Sequence, residues 1–258
     1  MIMIVTGSAR NGSDAFDLAA SLAAMYSLLA GRRTLLVDLS LESDRALSFT
    51  VTGGLPPLLD RFLAAQGLDP DSVRGQLTPV AMPAGHALAG RSFDLLAGPA
   101  AVTPEYADNL SAQRGEAFVR ALHAQIVLLN YDVVIVDFGQ GLDTLRGAAL
   151  ANLADLIVVV GHRDDPGTRA FIQKRLQPPH FSPPRERVLL AEAGEQAFPH
   201  PEFVESLTRS EKRFENADAR TALGLAELLD PGISQRLTDS SGRPIRPVQP
   251  GLLRRLFG

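Results

Sequence analysis

The sequence predicts an α/β chain of three layers, a doubly wound and mostly parallel sheet with helices on both faces. Two observations carry that expectation. Short runs rich in Val, Ile and Leu recur along the 258 residues, and longer helix-like stretches separate them. This is the pattern of successive βαβ units whose sheet is covered on both sides.

The runs at 3–6, 34–38, 93–97, 133–137, 156–160 and 188–191 are the expected strands. The first helix is expected over 14–29, where Leu18, Leu22, Met25 and Leu29 fall on one face and Gly31 follows as a stop. Further helices are expected at 57–65, 112–129, 143–151, 166–176, 201–208 and 217–229. Two stretches break the rhythm: 177–185, with four prolines, and 230–250, rich in Pro, Gly and Ser. The second reads as a flexible linker, because it has little apolar surface to offset its ordering entropy. The expected organisation is therefore one domain over 1–229, a linker over 230–250 and a short terminal segment over 251–258.

Composition narrows the function classes. Hydrophobic residues make up 45% and charged residues 21%, which suits a globular chain rather than a disordered or fibrous one. A net charge of −4 gives no general attraction to nucleic acid, so no nucleic-acid partner is expected. The absence of cysteine excludes disulfides, thiolate metal sites and a Cys nucleophile. The amino terminus reads as a first strand rather than a signal peptide, and the most apolar internal run, around 156–160, is far shorter than the roughly 20 residues of a membrane span. A cytoplasmic location is the expectation. The five histidines, His86, His123, His162, His180 and His200, show no metal-ligand pair spacing. No G-x-S-x-G elbow occurs, and no G-x-G-x-x-G opens a helix after strand one; Gly139-Gln140-Gly141 comes after a later strand. Arg209, Lys212 and Arg213 read as a solvated helix face.

The chemistry-bearing stretch is Thr6-Gly7-Ser8-Ala9-Arg10-Asn11-Gly12-Ser13, between the first strand and first helix. A glycine-bearing turn feeding a helix amino terminus can hold phosphate through backbone N–H groups and the helix dipole. By itself it is equally an ordinary βα loop. Downstream landmarks add to it: Leu18-Ala19-Ala20-Ser21-Leu22-Ala23, Gly31-Arg32-Arg33-Thr34-Leu35-Leu36-Val37-Asp38, Phe93-Asp94-Leu95-Leu96-Ala97-Gly98-Pro99, Tyr131-Asp132-Val133-Val134-Ile135-Val136-Asp137, and the run from Ala151 to Val160.

In this order, over residues 1–192, these segments resemble the ParA/MinD-like family of P-loop NTPases. The resemblance implies a P-loop fold, nucleotide contacts at Gly7, Ser8, Arg10, Asn11, Gly12 and Ser13, and a cofactor of ATP or ADP with Mg. It implies Mg support from Ser13 and Asp137, and catalytic carboxylates at Asp38 and Asp137; as residues alone, both aspartates are equally caps of strand ends. The departures matter as much. Aligned through Leu18, the family's two loop lysines fall at Thr6 and Asn11, and the chain's only lysines are Lys174 and Lys212. Arg10 brings a positive charge, but its planar fork does not replace a compact ammonium. The family's second aspartate after strand two falls at Ser40, and its base-reading Asn is missing from Leu189-Leu190-Ala191-Glu192-Ala193. The resemblance with these departures implies a pseudo-ATPase, a non-catalytic or weakly active positioning or assembly factor for a membrane-associated machine, with ATP or ADP and Mg bound or no cofactor, similar to the CpaE/TadZ-like pilus-assembly and cellulose-secretion relatives. The alternative is an active Mg-ATP switch.

The last eight residues resemble the membrane-targeting tail of MinD-like proteins. Leu252, Leu253, Leu256 and Phe257 share an arc of about 140° on a helix while Arg254 and Arg255 face away. The implied partners are an anionic membrane surface, bound peripherally at the inner face of the cell membrane, and a protein of a membrane-associated assembly. As residues alone the segment equally suits a helix docked on protein. A homodimer stays open, because Thr6 cannot make the contact that the family's signature lysine makes across its nucleotide.

Overall fold

The computed structural model describes residues 1–7, 12–40, 54–65, 67–81, 90–97, 112–139, 154–161, 165–175, 188–192, 225–227, 229–238 and 242–244. The strands are β1 (Ile2–Gly7), β2 (Thr34–Asp38), β3 (Thr78–Ala81), β4 (Ser92–Leu96), β5 (Val133–Asp137), β6 (Leu156–Gly161) and β7 (Val188–Glu192). Among the described residues they form one sheet in the order β3-β4-β2-β5-β1-β6-β7, parallel throughout except for the antiparallel β3–β4 pair. The doubly wound, mostly parallel α/β fold is thus the observed one.

All six expected strands are present. Their continuous apolar runs fit a sheet packed on both faces, and every residue of β2, β5 and β6 is buried. The unexpected strand is β3, where Pro79 weakens the sequence signal; proline lacks an N–H for the ladder and is tolerated because β3 is an outer strand.

The helices are α1 (Gly12–Ala24), α2 (Leu55–Ala65), α3 (Pro70–Arg74), α4 (Ala112–Leu128), α5 (Pro166–Arg175) and α6 (Ile233–Arg236). The short α3 starts from an Asp69 cap that accepts the Ser72 N–H at 2.8 Å, with Pro70 at the first helical position. The expected helices over 143–151 and 201–208 lie outside the described residues; of that over 217–229, residues 225–227 and 229 are described and helical.

α1 is followed directly by a π turn, Met25–Leu29, closed by the Ala30 N–H on the Met25 carbonyl at 3.0 Å. Every residue from Ala15 to Leu29 is buried, so α1 lies inside the protein rather than on its surface. It shares one core with Met3, Val5, Leu36, Ile135 and Val158. The opposite face of the sheet packs on α2 and α4, where Phe62 and Phe118 meet edge to face at 5.6 Å.

The stretch expected as a flexible linker is packed at its start. Ile233 and Leu237 are fully buried in the α1 core, and Thr238 donates its N–H to the Leu29 carbonyl at 3.1 Å. Two buried aliphatic side chains anchor a stretch whose average composition reads as a tether. The terminal segment over 251–258 lies outside the described residues.

Candidate functional site

The carboxyl ends of the parallel strands are where ligands bind in open α/β sheets. β1 lies at the centre, between β5 and β6, and its last residue, Gly7, pairs with Val160. α1 begins at Gly12, directly after the position aligned with the loop lysine, so its first-turn N–H groups open onto this edge. Ser8, Arg10 and Asn11 lie outside the described residues, as does the side chain of Ser13.

Asp38 and Asp137 are brought together. They end β2 and β5 and stand opposite each other in the parallel register. Both are fully buried. Strand alternation gives Asp38 the face of Leu36 and Asp137 the face of Ile135, which is the face covered by α1. Each carboxylate is also tied to its own turn. Asp38 Oδ1 accepts the Ser40 N–H at 2.9 Å and the Ser40 hydroxyl at 2.7 Å, and Asp137 Oδ1 accepts the Gly139 N–H at 2.9 Å. Capping thus accompanies whatever else these groups do. The amino ends of the strands use aspartates similarly: Asp155 Oδ2 accepts from Ile2 N at 2.8 Å, and Asp132 Oδ2 accepts from Arg33 N at 2.9 Å.

Sequence reasoning missed the two residues that join these turns. Gly139 has φ +56°, and a Cβ placed there would stand 2.7 Å from Ser40 Cβ. Its carbonyl accepts the Gly7 N–H at 3.0 Å. One glycine therefore binds the ends of β1, β2 and β5, and its sequence signal was the Asp-Phe-Gly order after a strand. Ser40 was weighed only as the site of a missing aspartate.

Thr6 is the clearest departure. It lies within β1, fully buried, and its Oγ1 has no hydrogen-bond partner. Strand alternation places it with Ile4, on the α4 face, away from the two aspartates.

No protein-family model matches the chain, and no curated protein matches its sequence. Solved structures do match. Over 87% of this chain and 98% of the other, it superposes on a ParA family ATPase from Chlorobium tepidum TLS with TM-score 0.56 and 17% identity. The fold is that of the ParA/MinD-like P-loop NTPases. Cobyrinic acid a,c-diamide synthase from Mycobacterium smegmatis, with bound ADP and magnesium, shares this fold at TM-score 0.53 and 18% identity over 97% of this chain and all of that one. So does the septum site-determining protein MinD from Pyrococcus horikoshii OT3, complexed with Mg-ADP, at TM-score 0.51 and 16% identity over 91% and 97% of the two chains.

The described residues fit one half of what a Mg-nucleotide needs on a ParA/MinD-like fold. The two in-register carboxylates suit the support of a hydrated divalent cation. The phosphate charge finds no matching ammonium: Thr6 is neutral and sealed on the opposite face, Asn11 is neutral, and the only lysines are Lys174 and Lys212. Among the described residues no helix is long and apolar enough to cross a membrane.

Proposed function

We propose that this chain is a degenerate ParA/MinD-like protein, a non-catalytic or weakly active positioning and assembly factor for a membrane-associated machine. The observation behind this reading is Thr6, a neutral side chain buried on the face of the sheet away from Asp38 and Asp137, at the position aligned with the signature lysine. Phosphoryl transfer depends largely on positioned positive charge, and losing one electrostatic stabiliser commonly costs about 100-fold to 1,000-fold in rate. Two replaced lysines leave little turnover.

Calorimetry with Mg-ATP is the direct test. The expected result is no binding below millimolar nucleotide and no phosphate release. Micromolar binding, with phosphate release that Asp137→Ala abolishes, overturns this reading in favour of an Mg-ATP switch. The register of Asp38 with Asp137 is the feature that favours the switch.

The proposed work is recruitment, of a protein partner and of an anionic membrane surface through Leu252, Leu253, Arg254, Arg255, Leu256 and Phe257. Fixing so short a segment costs much of what its four apolar side chains contribute, so one copy binds marginally and several linked copies bind well. Full-length protein is expected to co-sediment with phosphatidylglycerol-containing vesicles more than a chain ending at Pro250. Equal co-sedimentation rules the tail out.

A further inference from the structure

The carboxyl-terminal stretch packed on α1 has its bonds divided in a particular way. Many are internal to it. Glu227 accepts the N–H groups of Gly232 at 2.8 Å and Ser234 at 3.0 Å. Burial pulls the Glu227 carboxyl upward, but these backbone donors outweigh it and hold it below the usual glutamate range. Asp230 pairs with Arg236, and Thr238 bridges to Pro244 across a turn containing Gly242 at φ +76°. These contacts give the described residues around 229–238 a shape of their own.

Among the described residues, several polar links outward gather at the π turn. A helix end leaves its last carbonyls without partners, and those of Leu28 and Leu29 are met from outside the helix. Arg91 Nη1 donates to both, at 2.5 Å and 3.4 Å, and also to the Thr238 carbonyl at 2.8 Å, while Nη2 reaches Thr238 Oγ1 at 3.3 Å. The Thr238 N–H supplies the second donor to Leu29. Leu225, Ala226, Ile233 and Leu237 are the apolar anchors, all buried in the α1 core with Leu229 packed against it, and Arg32 lies 3.7 Å from Asp230. Beneath the strap, the Tyr26 hydroxyl of the π turn is buried without a hydrogen-bond partner.

We infer that the described stretch 229–238 is a latch that docks on the π turn and releases as one preformed unit, with the Arg91 guanidinium as its catch. A stretch with its own internal bonds can open as a block at less cost than the whole domain. Release gives the Tyr26 hydroxyl access to water, which lowers the cost of opening. The latch sets where the chain beyond Pro244 leaves the domain, beside the end of α1. The inference stands on this packing alone and does not depend on the proposed function.

Hydrogen exchange followed by mass spectrometry on the full chain tests it. Peptides covering 229–238 are expected to exchange together and faster than those of β1 and β5. Arg91→Ala accelerates the latch by about tenfold or more with β1 and β5 unchanged, since it removes charge-assisted bonds to three carbonyls. Tyr26→Phe, which keeps the ring and removes the orphaned hydroxyl, slows latch exchange by about fivefold or more. It also keeps the inference testable should Arg91→Ala fail to fold. The latch is overturned if 229–238 exchanges at the rate of β1 in the parent protein, if Arg91→Ala accelerates all elements alike, or if Tyr26→Phe leaves the latch unchanged or speeds it.

Discussion

Gly139→Ala is the sharpest perturbation of the strand-end junction. The alanine must adopt φ +56° and place a Cβ 2.7 Å from Ser40 Cβ. The left-handed backbone costs an L-residue about 1–2 kcal/mol, and a forced contact in packed surroundings adds about 1–3 kcal/mol. The expected loss is therefore about 2–5 kcal/mol, a large share of the roughly 5–15 kcal/mol that stabilises an ordinary domain. Urea unfolding of four proteins, the parent, Gly139→Ala, Ser40→Gly and the double variant, separates the two contributions. Ser40→Gly alone loses the hydroxyl bond to Asp38, costing about 1 kcal/mol. In its background the alanine no longer meets a Cβ, so only the backbone cost of about 1–2 kcal/mol remains. The cycle should then show a coupling of about 1–3 kcal/mol. A loss under about 0.5 kcal/mol for Gly139→Ala, or the same loss in both backgrounds, would refute the interlock.

Two further outcomes follow from buried hydroxyls. Thr6→Val replaces an unpartnered hydroxyl with a methyl group of similar shape, so chemical denaturation should find it neutral or more stable by up to about 1–3 kcal/mol. Burial first, then the nearby Asp230 carboxylate, push the Tyr26 phenol from 10.0 up to about 12, against the lowering influence of Arg32. Because the folded value is the higher, its stabilisation is complete below pH 10 and is lost as pH rises from about 10 to 12. Thermal melts at pH 9 and pH 11.5 should show a smaller alkaline loss in Tyr26→Phe than in the parent, by on the order of 2 kcal/mol.

The parts of the fold legible in the sequence were those fixed by burial on both sides of a strand. β2, β5 and β6 carry apolar runs that are buried along their whole length. Legibility ended where one or two residues outweigh their neighbours. Ile233 and Leu237 dock a segment whose average composition is that of a tether. The π turn at Met25–Leu29 leaves no local signature, and the donors that meet its last carbonyls, Arg91 and Thr238, are remote in sequence. At the candidate site, Asp38 and Asp137 announced themselves by ending apolar strands. Their joint dependence on Gly139 did not, since a positive φ and a close neighbour belong to three dimensions. The face on which Thr6 lies follows from alternation along β1, but its isolation needed the surrounding packing to be known.

Pro79 also bears on how the molecule meets copies of itself. β3 is one of the two outer strands of the described sheet, and an outer strand ordinarily offers a ladder of backbone groups on which another chain can grow. A residue with no N–H puts a missing rung in that ladder on the four-residue strand. Growth by strand addition is thereby discouraged at this margin.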